Sequence, residues 1–248
     1  MPEFINLTPE NLEFEHLSCI IRTRASHPGV EAKRTWLAQR LREGHVFRKL
    51  DQKATAMIEY APLETAWVPA VGENFYYIYC LWTEGEGRGK GYGKALMEYC
   101  LEDARRNGRS GVCMLGANRQ KAWLSDQKFA QKYGFSVVDS TDHGYDLLAL
   151  SFDGTAPAFT DRAKKGEIEE KELTIYYDLQ CPHILQRLEW IGAFCGERGL
   201  PLTLRQVESL EMAKDLPCVF NNWAVFYKGK FQTVNLLLPQ QVEGLLQK

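Results

Sequence analysis

Between the apolar run Phe75–Thr83, FYYIYCLWT, and the amphipathic stretch Lys94–Gly108, KALMEYCLEDARRNG, lies the segment Arg88-Gly89-Lys90-Gly91-Tyr92-Gly93-Lys94. The first run is apolar almost throughout, which suits a central strand buried on both faces. In the second, Leu96, Cys100 and Ala104 recur at helical spacing and Gly108 supplies a stop signal. A buried strand that enters a helix through a glycine-rich turn restricts the chain to α/β architectures. It also creates a place for an anion: free amide N–H groups and the positive end of the helix dipole meet at such a turn, and glycines let the backbone approach closely. Arg88 and Lys90 or Lys94 add charge-assisted donors, so a pyrophosphate is the expected guest.

Spacing separates the phosphate-binding patterns. A Walker A loop needs glycine five positions before Gly93 and Ser or Thr after Lys94, where this chain has Arg88 and Ala95. A dinucleotide fingerprint started from Gly85, Gly87 or Gly89 fails at Lys90, Tyr92 and Lys94, none of which is glycine. The pattern of Arg or Gln, two residues, Gly, one residue, then Gly or Ala is met by Arg88, Gly91 and Gly93. Together with the preceding strand, the following helix and the later Tyr133-Gly134-Phe135, it resembles the GNAT superfamily of acyl-CoA-dependent N-acyltransferases over about residues 1 to 150.

That resemblance implies a mixed central sheet flanked by helices, acetyl-CoA as donor and a primary amine of a small molecule or peptide as acceptor. Backbone groups near Leu81, Trp82 and Thr83 would hold the thioester carbonyl and pantetheine arm. Amides from Arg88, Gly89, Lys90, Gly91, Tyr92, Gly93 and Lys94 would hold the pyrophosphate. The amine would attack the thioester directly, with no covalent enzyme intermediate. Family members often place a tyrosine four residues before the Gly of Gly-Phe to protonate the departing thiolate, but that position is Ala130 here. Phe129 and Tyr133 are expected to pack, and Asn118 lies too far upstream to match the family's frequent asparagine. No general acid is therefore assigned. Glu59 and Tyr79, on strands expected to border the acceptor groove, are the candidate bases, although a strand glutamate is ordinarily solvated and a tyrosine in an apolar run ordinarily core. Cys113, in GVCML, reads as a packing residue.

The remaining chain fits around this unit. A helix is expected over Val30–Arg42. Strands are expected over His45–Leu50, Ala54–Pro62, Gly111–Leu115, Phe135–Asp139 and Tyr145–Phe152, and a helix over Trp123–Tyr133. The polar stretch 153–171, DGTAPAFTDRAKKGEIEEK, reads as an exposed linker between a domain at 1–152 and another at 172–248. On that division, truncation near Lys165 should leave a folded acyltransferase domain. The second unit reads as strand (Leu173–Leu179), helix (Pro182–Arg198), strand (Leu202–Val207), short helix (Ser209–Lys214), hairpin turning at Lys228-Gly229 and final helix (Pro239–Gln247). This order is similar to a thioredoxin-like fold, and Leu216-Pro217-Cys218 with the following hairpin resembles the small YoaP-like domain found after some GNAT domains. Cys181-Pro182 stands at the first strand-to-helix turn, but Ile184 occupies the place of a second cysteine, which argues against a redox pair. A structural or acceptor-shaping role is expected instead, and Cys181 with His183 offers too few ligands for a metal.

Composition narrows the partners. The 248 residues carry 30 basic and 32 acidic side chains, a net charge of −2, so no global field favours nucleic acid or an anionic membrane. No apolar stretch approaches a membrane span, no signal-like start is present, and the seven scattered cysteines read as reduced thiols, so a cytoplasmic protein is expected. Two alternatives to the enzyme stay open: an acetyl-CoA-binding sensor with little turnover, which Ala130 favours, and a thiol-redox protein centred on Cys181. Oligomeric state is not legible.

Overall fold

The computed structural model describes residues 3–17, 26–51, 56–85 and 88–247. Cys19, the Gln52–Lys53 turn, the start of the expected strand at Ala54, and Glu86-Gly87 lie outside the described residues. The amino-terminal region is built on a seven-stranded sheet in the order β1-β2-β3-β5-β6-β8-β7. Its strands are β1 (Phe4–Asn6), β2 (Val46–Leu50), β3 (Ala56–Pro62), β5 (Phe75–Thr83), β6 (Gly111–Ala117), β7 (Ser136–Ser140) and β8 (Tyr145–Ser151). Neighbours are antiparallel except β5 and β6, which run parallel and are joined by the crossover helix α2 (Tyr92–Arg106).

The unbroken apolar character of β5 has a two-sided cause. Tyr76 and Ile78 face α2, packing with Leu96, Met97, Cys100 and Ala104. Phe75, Tyr77 and Tyr79 face the other way, into a cluster that contains Cys113, Leu115 and Tyr145 from the sheet and Phe220, Ala224, Phe226 and Phe231 from the carboxyl-terminal region. Hence the strand is central and covered on both faces, as its composition predicts, but one cover is supplied by residues beyond 172.

That region forms a four-stranded sheet, β11-β10-β12-β13, from β10 (Leu173–Tyr177), β11 (Leu202–Gln206), β12 (Trp223–Tyr227) and β13 (Lys230–Thr233). β10 pairs parallel with β11 and antiparallel with β12, and β12–β13 is the expected hairpin, with Lys228 and Gly229 both at positive φ. Helices α5 (Ile184–Glu197), α6 (Leu210–Lys214) and α7 (Pro239–Leu246) complete it. Its own second core lies between Ile175, Val225, Ile191 and Val242.

The stretch 153–171 is more ordered than a polar linker suggests. β9 (Ala158–Phe159) pairs with β4 (Ala70–Val71), and α4 (Asp161–Lys165) is N-capped by the Thr160 hydroxyl and buries Ala163. Polar ties join the two regions: Tyr77 Oη donates to Asn221 Oδ1 at 2.9 Å, and Lys214 Nζ donates to the carbonyls of Leu63 and Ala70 at 2.7 and 2.8 Å. Helix α1 (Pro28–Arg40) lies on the same face of the sheet as the carboxyl-terminal region. A Cβ at Gly29 would fall onto the Pro182 carbonyl oxygen, so helix and turn meet with no room for a side chain. The helix expected over Trp123–Tyr133 is shorter, α3 (Gln127–Gln131), because Asp126 caps it by accepting the Lys128 and Phe129 N–H groups. Upstream, Trp123 adopts φ +66°, which no helix interior accommodates.

Candidate active site

β5 and β6 pair only from Phe75↔Gly111 to Ile78↔Met114, and beyond that they part. The parting begins at a bulge: β3 and β5 shift register between Glu59↔Cys80 and Tyr60↔Ile78, which leaves Tyr79 as the extra residue. Two strands that separate expose backbone groups along their facing edges, and those groups need partners. On β5 the Leu81 N–H donates to Ser125 Oγ at 3.0 Å. On β6 the Gln127 side chain takes both groups of Ala117, accepting its N–H at 2.9 Å and donating to its carbonyl at 2.6 Å. The open V between the strands thus carries side-chain hydrogen bonds in place of a ladder.

The glycine-rich turn sits at the end of β5. Gly89 and Gly91 have φ +76° and +79°, a left-handed geometry that favours glycine. Gly91 is the N-cap of α2 and no side chain caps the first turn. Arg88, Gly89, Lys90 and Lys94 are exposed, Lys94 3.7 Å from Glu98, and Tyr92 is half-buried with its ring edge-on to Phe4. An open helix start flanked by three cations fits a pyrophosphate. Thr83 lies against Gly93, since a Cβ there would contact Thr83 Cγ2 at 3.6 Å, and the Trp82 indole N–H reaches Glu84 at 3.4 Å.

Beside the V, a cavity of about 480 Å³ opens between the two regions. Glu59, Tyr79, Cys80 and Trp82 contribute from the sheet, Lys33 from α1, Trp123 and Ser125 from the segment before α3, and Gln180, Cys181, Asn221 and Asn222 from the carboxyl-terminal region. Glu59 is not a solvated strand residue: it is fully buried. Its Oε2 accepts from Lys33 Nζ and from Gln180 Nε2, each at 2.7 Å, and its Oε1 lies 3.0 Å from His45 Nε2. Burial alone would raise its carboxyl, but the Lys33 charge and the His45 hydrogen bond hold it below the ordinary glutamate range. Burial lowers the His45 imidazole, so it is neutral beside this pair. Burial pushes the Tyr79 phenol well above its ordinary range, and its oxygen accepts the Trp67 N–H at 2.6 Å.

Gln180 links this group to the other region, accepting from Asn222 Nδ2 at 2.8 Å. Its own N–H donates to Asp178 Oδ1 at 2.9 Å, while Asp178 Oδ2 is buried without a partner. Burial raises the Asp178 carboxyl to about 7. Asn221 Nδ2 donates to the Tyr79 carbonyl at 3.0 Å and holds the bulge in place.

The expectations at the family's acid position agree with the packing. Ala130 is buried, and Phe129 and Tyr133 lie half-buried against the α2 core with ring centroids 5.2 Å apart. Cys113 is fully buried and burial pushes its thiol up, as a packing residue requires. None of the six described cysteines is in a disulfide, and Cys181 lines the cavity half-buried. His183 is half-buried against Trp123, and burial lowers it to about 4. Sequence reasoning missed Lys33, Ser125, Gln180 and the Asn221-Asn222 pair. The one available signal was Lys33 at a helical spacing from Trp36 and Leu37, on the face α1 buries.

Residues 12–135 match the model of the acetyltransferase (GNAT) family, and residues 201–243 match the YoaP-like model. The chain is 34% identical over 245 residues, 98% of each chain, to a Bacillus subtilis (strain 168) protein called uncharacterized N-acetyltransferase YoaP. Among solved structures, a GNAT family acetyltransferase from Brucella melitensis in complex with acetyl-CoA aligns at 15% identity, with a TM-score of 0.42, over 64% of this chain and 94% of that one. The putative acetyltransferase yncA from Salmonella typhimurium, with acetyl-CoA, aligns at 13% identity and a TM-score of 0.42 over 62% and 95%. The chain belongs to the GNAT family: it is a GNAT-type N-acetyltransferase with a YoaP-like carboxyl-terminal region.

Proposed function

We propose that this chain transfers the acetyl group of acetyl-CoA to a primary amine seated in the cavity between its two regions, by direct attack. One observation carries the reading: Ser125 hydrogen-bonds the Leu81 amide in the V and also lines the cavity, so the expected thioester groove and the candidate acceptor site share a wall. The amides from Arg88 to Lys94 hold the pyrophosphate, and the free edge of Leu81, Trp82 and Thr83 holds the pantetheine arm. The thioester supplies the electrophilic carbonyl. The Leu81 N–H, released from Ser125, polarises the carbonyl oxygen as charge develops there.

Of the two candidate bases, Glu59 is the one that is charged at neutral pH and walls the cavity. With its carboxyl held low it is a weak base, so its part is to keep the ammonium form at the site while water carries the proton away. Tyr79 stays protonated and shapes the floor. Because Ala130 offers no acid, the thiolate departs toward water, and positioning supplies most of the acceleration. The carboxyl-terminal region, which we assign a thioredoxin-like arrangement from its parallel β10–α5–β11 unit and antiparallel hairpin, shapes the acceptor side through Gln180 and Asn222. Calorimetric titration with acetyl-CoA followed by a free-CoA release assay against a panel of amines tests the reading. Binding with release for one amine class supports it, binding without release for any amine transfers support to a sensor, and absence of binding overturns it.

A further inference from the structure

The cavity chemistry selects among amines. Its polar groups are largely committed to one another: Glu59 is held by Lys33, His45 and Gln180, Gln180 uses both ends of its amide, and Asn221 is spent on Tyr77 and Tyr79. Among the described residues that line the cavity, Glu59 is the one carboxylate, whereas Lys33 and Lys121 are both cations. Glu59 is already paired with Lys33 at 2.7 Å, which leaves the Lys121 charge in excess, so each further ammonium group of a polycation would meet positive charge with no carboxylate of its own. Apart from Ser125 and Asn222, which are held by Leu81 and Gln180, most of the remaining wall is apolar or aromatic, including Met57 and Leu236, both buried, and the indoles of Trp82 and Trp123.

Trp123 is placed at some cost. A bulky residue at φ +66° is an outlier that the surrounding structure must enforce. Its ring is fixed edge-on to His183, with centroids 5.6 Å apart, and the Arg187 guanidinium lies 5.7 Å from its centroid. Both partners come from the carboxyl-terminal region, and Trp123, 38% exposed as a residue, lines the cavity.

We propose that the acceptor is a monoamine carried on an apolar, preferably aromatic, body, and that polyamines and aminoglycosides are excluded. The apolar body packs on Trp82, Trp123, Met57 and Leu236, and its single amine lies toward Glu59 and the V. This rests on the acetyl-transfer reading for its turnover but not for its binding.

The test therefore measures both, on the full chain with saturating CoA for binding and acetyl-CoA for turnover. Calorimetry with 2-phenylethylamine, spermidine and kanamycin should show binding of 2-phenylethylamine at least tenfold tighter than either polycation. Trp123→Ala should weaken it about tenfold while leaving CoA affinity unchanged; Trp123→Phe should recover most of the loss. CoA release should follow the same order. Binding of 2-phenylethylamine in that order, with no release from it or from any other amine, supports the class while transferring support from acetyl transfer to a sensor. Equal or tighter binding of spermidine or kanamycin, or no detectable binding of 2-phenylethylamine at millimolar concentration, overturns the class.

Discussion

Replacing Lys33 by methionine isolates the buried charge on which the cavity wall depends. Lys33 and Glu59 have side-chain exposures of 3% and 0% and meet at 2.7 Å, so solvent screens this pair very little. Methionine approximates the aliphatic stem and removes only the ammonium. Glu59 then keeps two neutral partners, His45 and Gln180, and no countercharge within hydrogen-bond reach. Breaking a buried pair from one side costs roughly 3–5 kcal/mol, a large fraction of the about 5–15 kcal/mol that ordinarily separates folded from unfolded chains. The sign with pH follows from linkage. In the parent, Glu59 is depressed when folded, so its contribution is present above the unfolded value of about 4.3 and is lost as pH falls through the folded one. In Lys33→Met burial prevails and the folded carboxyl rises, so stability is lost as pH climbs through the raised value. The deficit relative to the parent should therefore be largest near pH 8 and shrink toward pH 5. Urea unfolding followed by the fluorescence of the six tryptophans measures it. Adding Glu59→Gln should recover at least half of the loss at pH 8, since the orphaned charge is gone. A loss below about 1 kcal/mol at pH 8, or one that does not change with pH, would refute the reasoning.

Four further outcomes are expected. Arg88→Glu places an anion beside the proposed pyrophosphate site and should weaken CoA binding at least tenfold by calorimetry; unchanged affinity would mean the turn holds something else. Asp178, raised to about 7 by burial, contributes stability that is intact near pH 4 and lost as pH rises through about 7, so Asp178→Asn should gain on the parent as pH increases from 5 to 8 in thermal melts. A fragment ending at Lys165 uncovers the Phe75, Tyr77 and Tyr145 face of the sheet and should aggregate or bind a hydrophobic dye, and a monodisperse, cooperatively unfolding fragment would contradict the shared core. Cys181→Ser should keep acetyl transfer within about twofold, whereas loss of turnover with CoA affinity intact would bring thiol chemistry back.

Much of the scaffold was legible because local chemistry and tertiary packing agree there. The run FYYIYCLWT, the glycine turn and the helix after it announce themselves by composition and spacing, and the carboxyl-terminal order of elements follows from the stop signal at Gly199 and the hairpin turn at Lys228-Gly229. The cavity was not legible in the same way. Glu59 looks solvated in sequence because nothing nearby in the chain neutralises it; its partners arrive from α1, from His45 just before β2, and from residue 180. Trp123 fits a helical pattern, and only the Asp126 cap and the contacts with His183 and Arg187 show why it leaves the helix. Likewise, the segment 153–171 has linker composition, yet Phe159 finds β4 and Ala163 is buried. Its order comes from neighbours distant in sequence.

The contact of Gly29 with the Pro182 carbonyl makes the proposed acceptor site a socket rather than a pair of jaws. A clamp that opens and shuts on its cargo needs clearance at its pivot, and here backbone rests on backbone at one rim of the opening. Diversification of such a site proceeds by exchanging the side chains that point inward, because any side chain added at residue 29 acts as a wedge that shifts both walls at once. Grafting a different second region onto the same amino-terminal scaffold would have to reproduce that seat before it could offer a new specificity.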